Sequence, residues 1–173
     1  MRFFGIFITG MLLGGIVFFS LNEGFFKAAD ISDLAENYYE IVPLQIIKAD
    51  GEIFNLQVAL ADESLERIKG LQGVQYFRED QGMWFVFQDQ ANLVFWMKDM
   101  LIPLDILFVD ENQRILKIID GAVPCFKIDP EQNNCEEYSS GQLAQYVLEL
   151  NEGLAKKWGL AVGDQIKMKD FEP

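Results

Sequence analysis

The chain has 173 residues, half of them hydrophobic, with 15 Phe and 3 Trp, enough to bury one substantial core and too few to expect two. Its net charge is −13, which sets it against phosphate backbones and makes nucleic acid a poor partner. It contains no histidine, so Ser-His-Asp and Cys-His catalysis, and histidine-ligated zinc or haem, are excluded within one subunit.

The first segment, FFGIFITGMLLGGIVFFSL over residues 3–21, carries no charge. As a helix it would extend about 28 Å, close to the hydrocarbon thickness of a bilayer. Arg2 precedes it, and no small-x-small site follows it, so residues 1–27 read as an uncleaved anchor with the domain outside the cytoplasm. The rival reading is a cleaved signal that leaves a secreted or periplasmic product. Gly10 and Gly14 form a GxxxG spacing that would allow a weak homodimer. The leader carries +1, from Arg2 and Lys27 against Glu23, so residues 30–173 carry −14. Residues 28–41 are polar and mixed, the composition of a linker, and the globular domain is expected over 42–173.

Two strands, 43–48 and 52–60, alternate around Asp50-Gly51, a dipeptide suited to a tight hairpin turn. Asp62 is placed to cap a short helix over 63–69, with Leu65 and Ile68 facing inward and Gly70 ending it. Residues 74–81 read as loop. MWFVF (83–87) and LVFWM (93–97) read as two buried strands separated by polar residues. A hairpin follows over 106–110 and 114–120, then a strand over 144–150. Asn151 is positioned to cap a second helix running to Trp158, and 165–169 forms a last strand. Short strands, two brief helices and no βαβ rhythm predict a mainly β domain, a single sandwich or partly closed barrel.

Cys125 and Cys135 flank a polar loop and pair most economically as one disulfide in an oxidising compartment. The loop itself, DPEQNNCEE over 129–137, offers oxygen ligands but lacks the glycine and terminal acid of an EF-hand, so no metal site is assigned. No cofactor motif is found.

What chemistry remains rests on carboxylates, lysine and tyrosine. Lys98, Asp99 and Asp105 lie in FWMKDMLIPLDILF, among residues that favour burial. Pro103 places 101–104 in a turn or at a sheet edge, which would bring Lys98 and Asp105 to one rim, as an ion pair or as part of a site. Glu149 interrupts YVLEL on the face of Val147 and opposite Leu148; the turn 138–140 is a candidate partner for its carboxylate, and Asp105 a candidate acid–base mate. Lys98, Asp105 and Glu149 are therefore the catalytic candidates. Trp96, Trp84 and the neighbouring Phe residues supply either core or an aromatic groove for a flat ligand such as a sugar.

The ordered motifs Arg67-x-x-Gly70-Leu71, Gly82-Met83-x-Phe85-Val86-Phe87, Phe95-Trp96-Met97-Lys98, Ile102-Pro103-Leu104-Asp105-Ile106, Pro124-Cys125, Cys135-x-x-Tyr138, Tyr146-Val147-Leu148-Glu149-Leu150 and Gly163-Asp164 resemble the domain of unknown function 192 family over about residues 42–170. The resemblance implies a compact, mostly β domain, often exported or membrane-tethered in bacteria and archaea, with no established activity. Two positions depart from the family pattern: Gln72 where Met is common, and Asp99-Met100 where Asn-Thr is common. Arg67, Trp96, Lys98, Asp105, Tyr138 and Glu149 are the ligand-binding candidates. The first functional expectation is a noncatalytic envelope module binding glycan, peptide or protein; the second is a carboxylate- or lysine-dependent envelope enzyme.

Overall fold

A computed structural model of the protein describes residues 39–168. The expected membrane helix of residues 3–21 and the Gly10/Gly14 contact lie outside the described residues. Among the described residues no helix is long and apolar enough to cross a membrane.

Seven strands form one mixed sheet: β1 (Ile41–Ile47), β2 (Ile53–Ala61), β3 (Gln81–Trp96), β4 (Leu104–Val109), β5 (Ile115–Ala122), β6 (Glu137–Asn151) and β7 (Gln165–Met168). Three short helices accompany them, α1 (Ser64–Lys69), α2 (Cys125–Ile128) and α3 (Leu154–Lys157). The strand order is β5-β4-β6-β3-β2-β1-β7. The two edges meet where Arg114 bridges Gln165 and the Ile166 amide donates to the Gln113 carbonyl at 2.8 Å. The sheet is thus curled into a half-barrel, rather than split into the two layers of a sandwich.

Curling gives the sheet an inner and an outer face, and strand alternation sends side chains to each. Leu44, Ile46, Leu56, Val58, Trp84, Leu107, Leu148, Leu150 and Ile166 fill the inner face. Met83, Phe85, Ile106, Phe108 and Val147 lie on the outer face, under Leu71, Val74, Phe77, Met97 and Met100 from the connecting segments. Both faces are buried, which explains why β4 is buried at all six positions instead of alternating with water.

Several sequence expectations are corrected. The two strands read at 83–87 and 93–97 are one 16-residue strand, because the 15-residue β6 runs beside it and the polar stretch between them is absorbed as register shifts in the same ladder. Among the described residues one pairing is parallel: Gln57–Ala61 of β2 runs alongside Gln81–Phe85 of β3, and the crossover between them carries α1 and the loop 70–80 over the outer face. The cap of α1 is Glu63, in a reciprocal capping box with Glu66, and not Asp62. Leu65 and Ile68 point to solvent, 79% and 73% exposed, and not inward. Asn151 ends β6 and donates to the Phe77 carbonyl at 2.7 Å, so it does not cap α3, whose N-cap is Gly153. A helix at Cys125–Ile128 was not expected.

Cys125 and Cys135 form a disulfide, closing the loop that begins at α2. The Cys125 amide donates to the Met97 carbonyl at 2.9 Å, which ties this loop to the segment after β3.

Candidate functional site

Five polar or charged residues of the described chain are buried: Gln81, Asp105, Ser140, Glu149 and Asp164. Four have their hydrogen bonds made. Gln81 accepts from the Arg78 amide, and Ser140 donates to the Gln142 carbonyl and receives the Leu93 amide. Asp164 accepts from the Ala49 and Ala161 amides, pinning the β1–β2 turn to the segment before β7.

Asp105 is fully buried on the inner face, opposite Leu150 in the β4–β6 register. One carboxylate oxygen accepts the amides of Gly121 at 2.9 Å and Gly153 at 3.0 Å, and the other accepts Ala155 at 2.9 Å. Two of these donors belong to the start of α3, whose amides have no partner within the helix. The Asp105 carboxylate is therefore the fastener of β5 and α3 to the end of the half-barrel. It forms no ion pair with Lys98 and no acid–base couple with Glu149, because consecutive positions of a strand point to opposite faces and the register sets Ile106, not Asp105, beside Glu149.

Glu149 is the exception among the five. It is 5% exposed, yet no partner holds its carboxylate among the described residues. Its cross-strand neighbours are Met83 on β3 and Ile106 on β4, both apolar. Residues 138–140, expected as a turn and a donor, are strand at the far end of β6 and engage Val94, Phe95 and Asn92 instead. Burial alone pushes the Glu149 carboxyl up to about 8, so it holds its proton at neutral pH. Gly82 permits the close approach of β3 at this point: a Cβ there would sit 2.5 Å from the Glu149 carbonyl.

Glu149 lies in the wall of a cleft of about 480 Å³ between α1 and β3. Phe85, Phe87, Phe95 and Met100 supply its apolar surface, with Phe85 and Phe95 in edge-to-face contact at 5.0 Å. Ile68, Val94 and Trp96 form a lip that is 73%, 50% and 57% exposed. Arg67, Lys69 and Lys98 are the other charged groups lining it. The Arg67 guanidinium is held by the Val86 carbonyl at 2.9 Å, by the Asp62 carbonyl and by Ser64 Oγ, and lies over the Phe87 ring at 5.3 Å. The Lys98 ammonium lies 5.8 Å from the Trp96 ring centre and makes no ion pair among the described residues. A second, more polar cleft of about 660 Å³ shares Trp96 and Lys98 and continues along Gln132–Glu137.

Arg67, Trp96, Lys98 and Glu149 are thus brought to one cleft, while Asp105 and Tyr138 are not. Tyr138 is buried against the outer core, accepting the Val123 amide at 3.2 Å and donating to Glu136 at 3.0 Å. Asp129 spends its carboxylate on the amides of Glu131, Asn133 and Asn134, which shapes the disulfide loop from within. Sequence reading missed the contribution of Gly82 and of the exposed lip residues Ile68 and Val94. For Ile68 the signal was an apolar residue on a six-residue helix that buries none of its side chains, whereas Val94 on β3 gave no such signal.

A curled seven-stranded sheet with a parallel crossover, and beneath it a cleft with a buried carboxyl in its wall, defines the class of domain. The chain belongs to the domain of unknown function 192 family, described as Uncharacterized ACR, whose model matches residues 45–168. It is similar to the crystal structure of a candidate transcription regulator from Sinorhizobium meliloti 1021, with 32% identity over 75% of this chain and 95% of that one and a TM-score of 0.68. It is also similar to a protein of unknown function from Novosphingobium aromaticivorans DSM 12444, with 31% identity over 73% and 84% and a TM-score of 0.65. No functionally curated protein matches.

Proposed function

We propose that this protein is a ligand-binding module of the cell envelope, held at the membrane by its apolar leader and working through the cleft between α1 and β3. The observation that carries the reading is Glu149. Folding leaves a buried carboxyl without a partner only against a free-energy penalty, so its place in the wall of an open cleft marks that cleft as made for something else to fill. The lip of Ile68, Val94 and Trp96 supports the same reading, since apolar side chains kept in water at a cleft mouth are gained as contact area on binding. The charge-free run over residues 3–21 and the Cys125–Cys135 disulfide support an oxidising location outside the cytoplasm.

A second reading, a carboxylate-dependent enzyme acting on glycan or peptide, is favoured by one fact: a carboxyl lifted to about 8 is a competent proton donor at neutral pH. Among the described residues no second carboxyl lines the cleft, and Asp105 is on the other face with its oxygens occupied. The regulator description attached to the Sinorhizobium relative suggests DNA as a partner, and the net charge of −13 weighs against that here.

The test is a small-molecule and peptide screen by NMR on the full chain in detergent micelles, joined to fractionation of cells and thiol labelling. The expected result is membrane-bound, oxidised protein with ligands that shift Phe85, Phe95 and Glu149 resonances and lose effect in Trp96→Ala. Hydrolysis of a screened compound with no saturable binding would replace the module with the enzyme.

A further inference from the structure

Resting on the cleft as the binding site, we infer that its ligand is an amino-acid-like zwitterion: an ammonium group seated against Glu149 on a short apolar stem, with an anionic or acceptor group outward toward Lys98. Three observations point to that chemistry. Glu149 is buried with no counter-ion of its own, although Arg67, Lys69 and Lys98 all line the same cleft. Arg67 is already engaged by Asp62, Ser64 and Val86, so the missing positive partner is not supplied by the side chain best suited to carboxylates. The cleft that Glu149 lines is otherwise walled by Phe85, Phe87 and Phe95, and aromatic rings favour a cation over a free anion, as the Arg67 guanidinium over Phe87 already shows.

The mouth imposes the opposite sign. Lys98 is exposed over Trp96, and Lys69 and Arg67 stand on α1, so the outer end of a ligand meets positive charge. A plain diamine would be repelled there, and a plain carboxylate would find its anion satisfied only at the mouth with Glu149 left unpaired. A zwitterion answers both ends. The charged groups that line the cleft with Glu149 are Arg67, Lys69 and Lys98, and of these Lys98 is exposed. The burial of the Glu149 proton adds a readout: an arriving ammonium makes the carboxylate the better form, so binding at neutral pH expels a proton to buffer.

The experiment compares 5-aminopentanoate, pentylamine, pentanoate and pentan-1-ol on the full chain in detergent micelles. Binding is read from the side-chain carboxyl resonance of Glu149, and proton release from calorimetry in buffers of different ionisation heat. A tripeptide with a free amino terminus and its acetylated form test whether a peptide end serves as well as a free amino acid. The zwitterion is expected to bind at least about tenfold tighter than the alcohol, with about one proton released at pH 7. Glu149→Gln should remove both the amine preference and the proton release, and Lys98→Met should remove only the advantage of the zwitterion over pentylamine. Equal binding of alcohol and amine, tighter binding of pentanoate than pentylamine, or an unchanged profile in Glu149→Gln overturns the inference. In those cases shifts confined to the cleft by another ligand still uphold the binding module. If no ligand shifts cleft residues, both ideas fall.

Discussion

Asp105 and Glu149 are two buried carboxyl groups on adjacent, hydrogen-bonded strands, and they have opposite fates. Asp105 faces inward, meets three amides and ties together β5, α3 and the end of β4. Glu149 faces outward, between Met83 and Ile106, and meets none. The difference teaches that burial by itself does not define a functional carboxyl. What matters is whether the fold also delivers donors, and here the inner face delivers chain ends and turns while the outer face delivers side chains of Phe and Met.

The sharpest way to break the comparison is to remove the satisfied partner. Asp105→Ala would leave three amide donors buried and unpaired, so we expect a loss of roughly 3–5 kcal/mol, large enough to threaten folding, measured by urea denaturation at neutral pH. Glu149→Gln should do the reverse. A carboxyl whose folded value is raised to about 8, from an ordinary 4.5, weakens the fold progressively as pH climbs from about 4.5 to 8 and leaves it unaffected below that window. The slope is about 1.4 kcal/mol per pH unit, reduced where water reaches the cleft. The Gln variant should therefore flatten the fall of melting temperature between pH 5 and 8 and be more stable than wild type at pH 7.5, by roughly 2–3 kcal/mol. An unchanged pH profile would mean that Glu149 is not the strained member of the pair.

Smaller effects sharpen the role of the outer face. Reduction of Cys125–Cys135, or the paired Cys→Ser change, should lower stability by roughly 2–3 kcal/mol, because a short loop regains its freedom in the unfolded chain. Intact inner-face packing with weakened order around Met97 is expected in hydrogen exchange, since the Cys125 amide bonds to the Met97 carbonyl. Trp96→Ala should change stability by less than about 0.5 kcal/mol, given its exposure, while weakening any ligand held at the lip. A large loss of stability there would make Trp96 core and not mouth.

Much of the fold was legible along the chain. The Asp50-Gly51 hairpin, the hairpin of β4 and β5 and the parity of Glu149 with Val147 all follow from period-two alternation and turn chemistry. The length of β3 was not, because a polar interruption such as QDQAN reads as a loop until a partner strand of similar length is known to run beside it. Leu65 and Ile68 misled for a related reason: spacing on a six-residue helix says that two apolar residues share a face, not that the face is covered.

By itself the sequence determined the β character, the absence of histidine chemistry, the disulfide pair and the place of Glu149 on a strand, since these depend on residue type and local periodicity, whereas Asp105, read at the rim of a turn, lies within β4. Only the tertiary structure decided that Asp105 is a fastener and Glu149 part of the wall of a cleft. Those roles depend on register between β4 and β6 and on where the crossover carrying α1 comes to rest, which are contacts between residues distant in the chain.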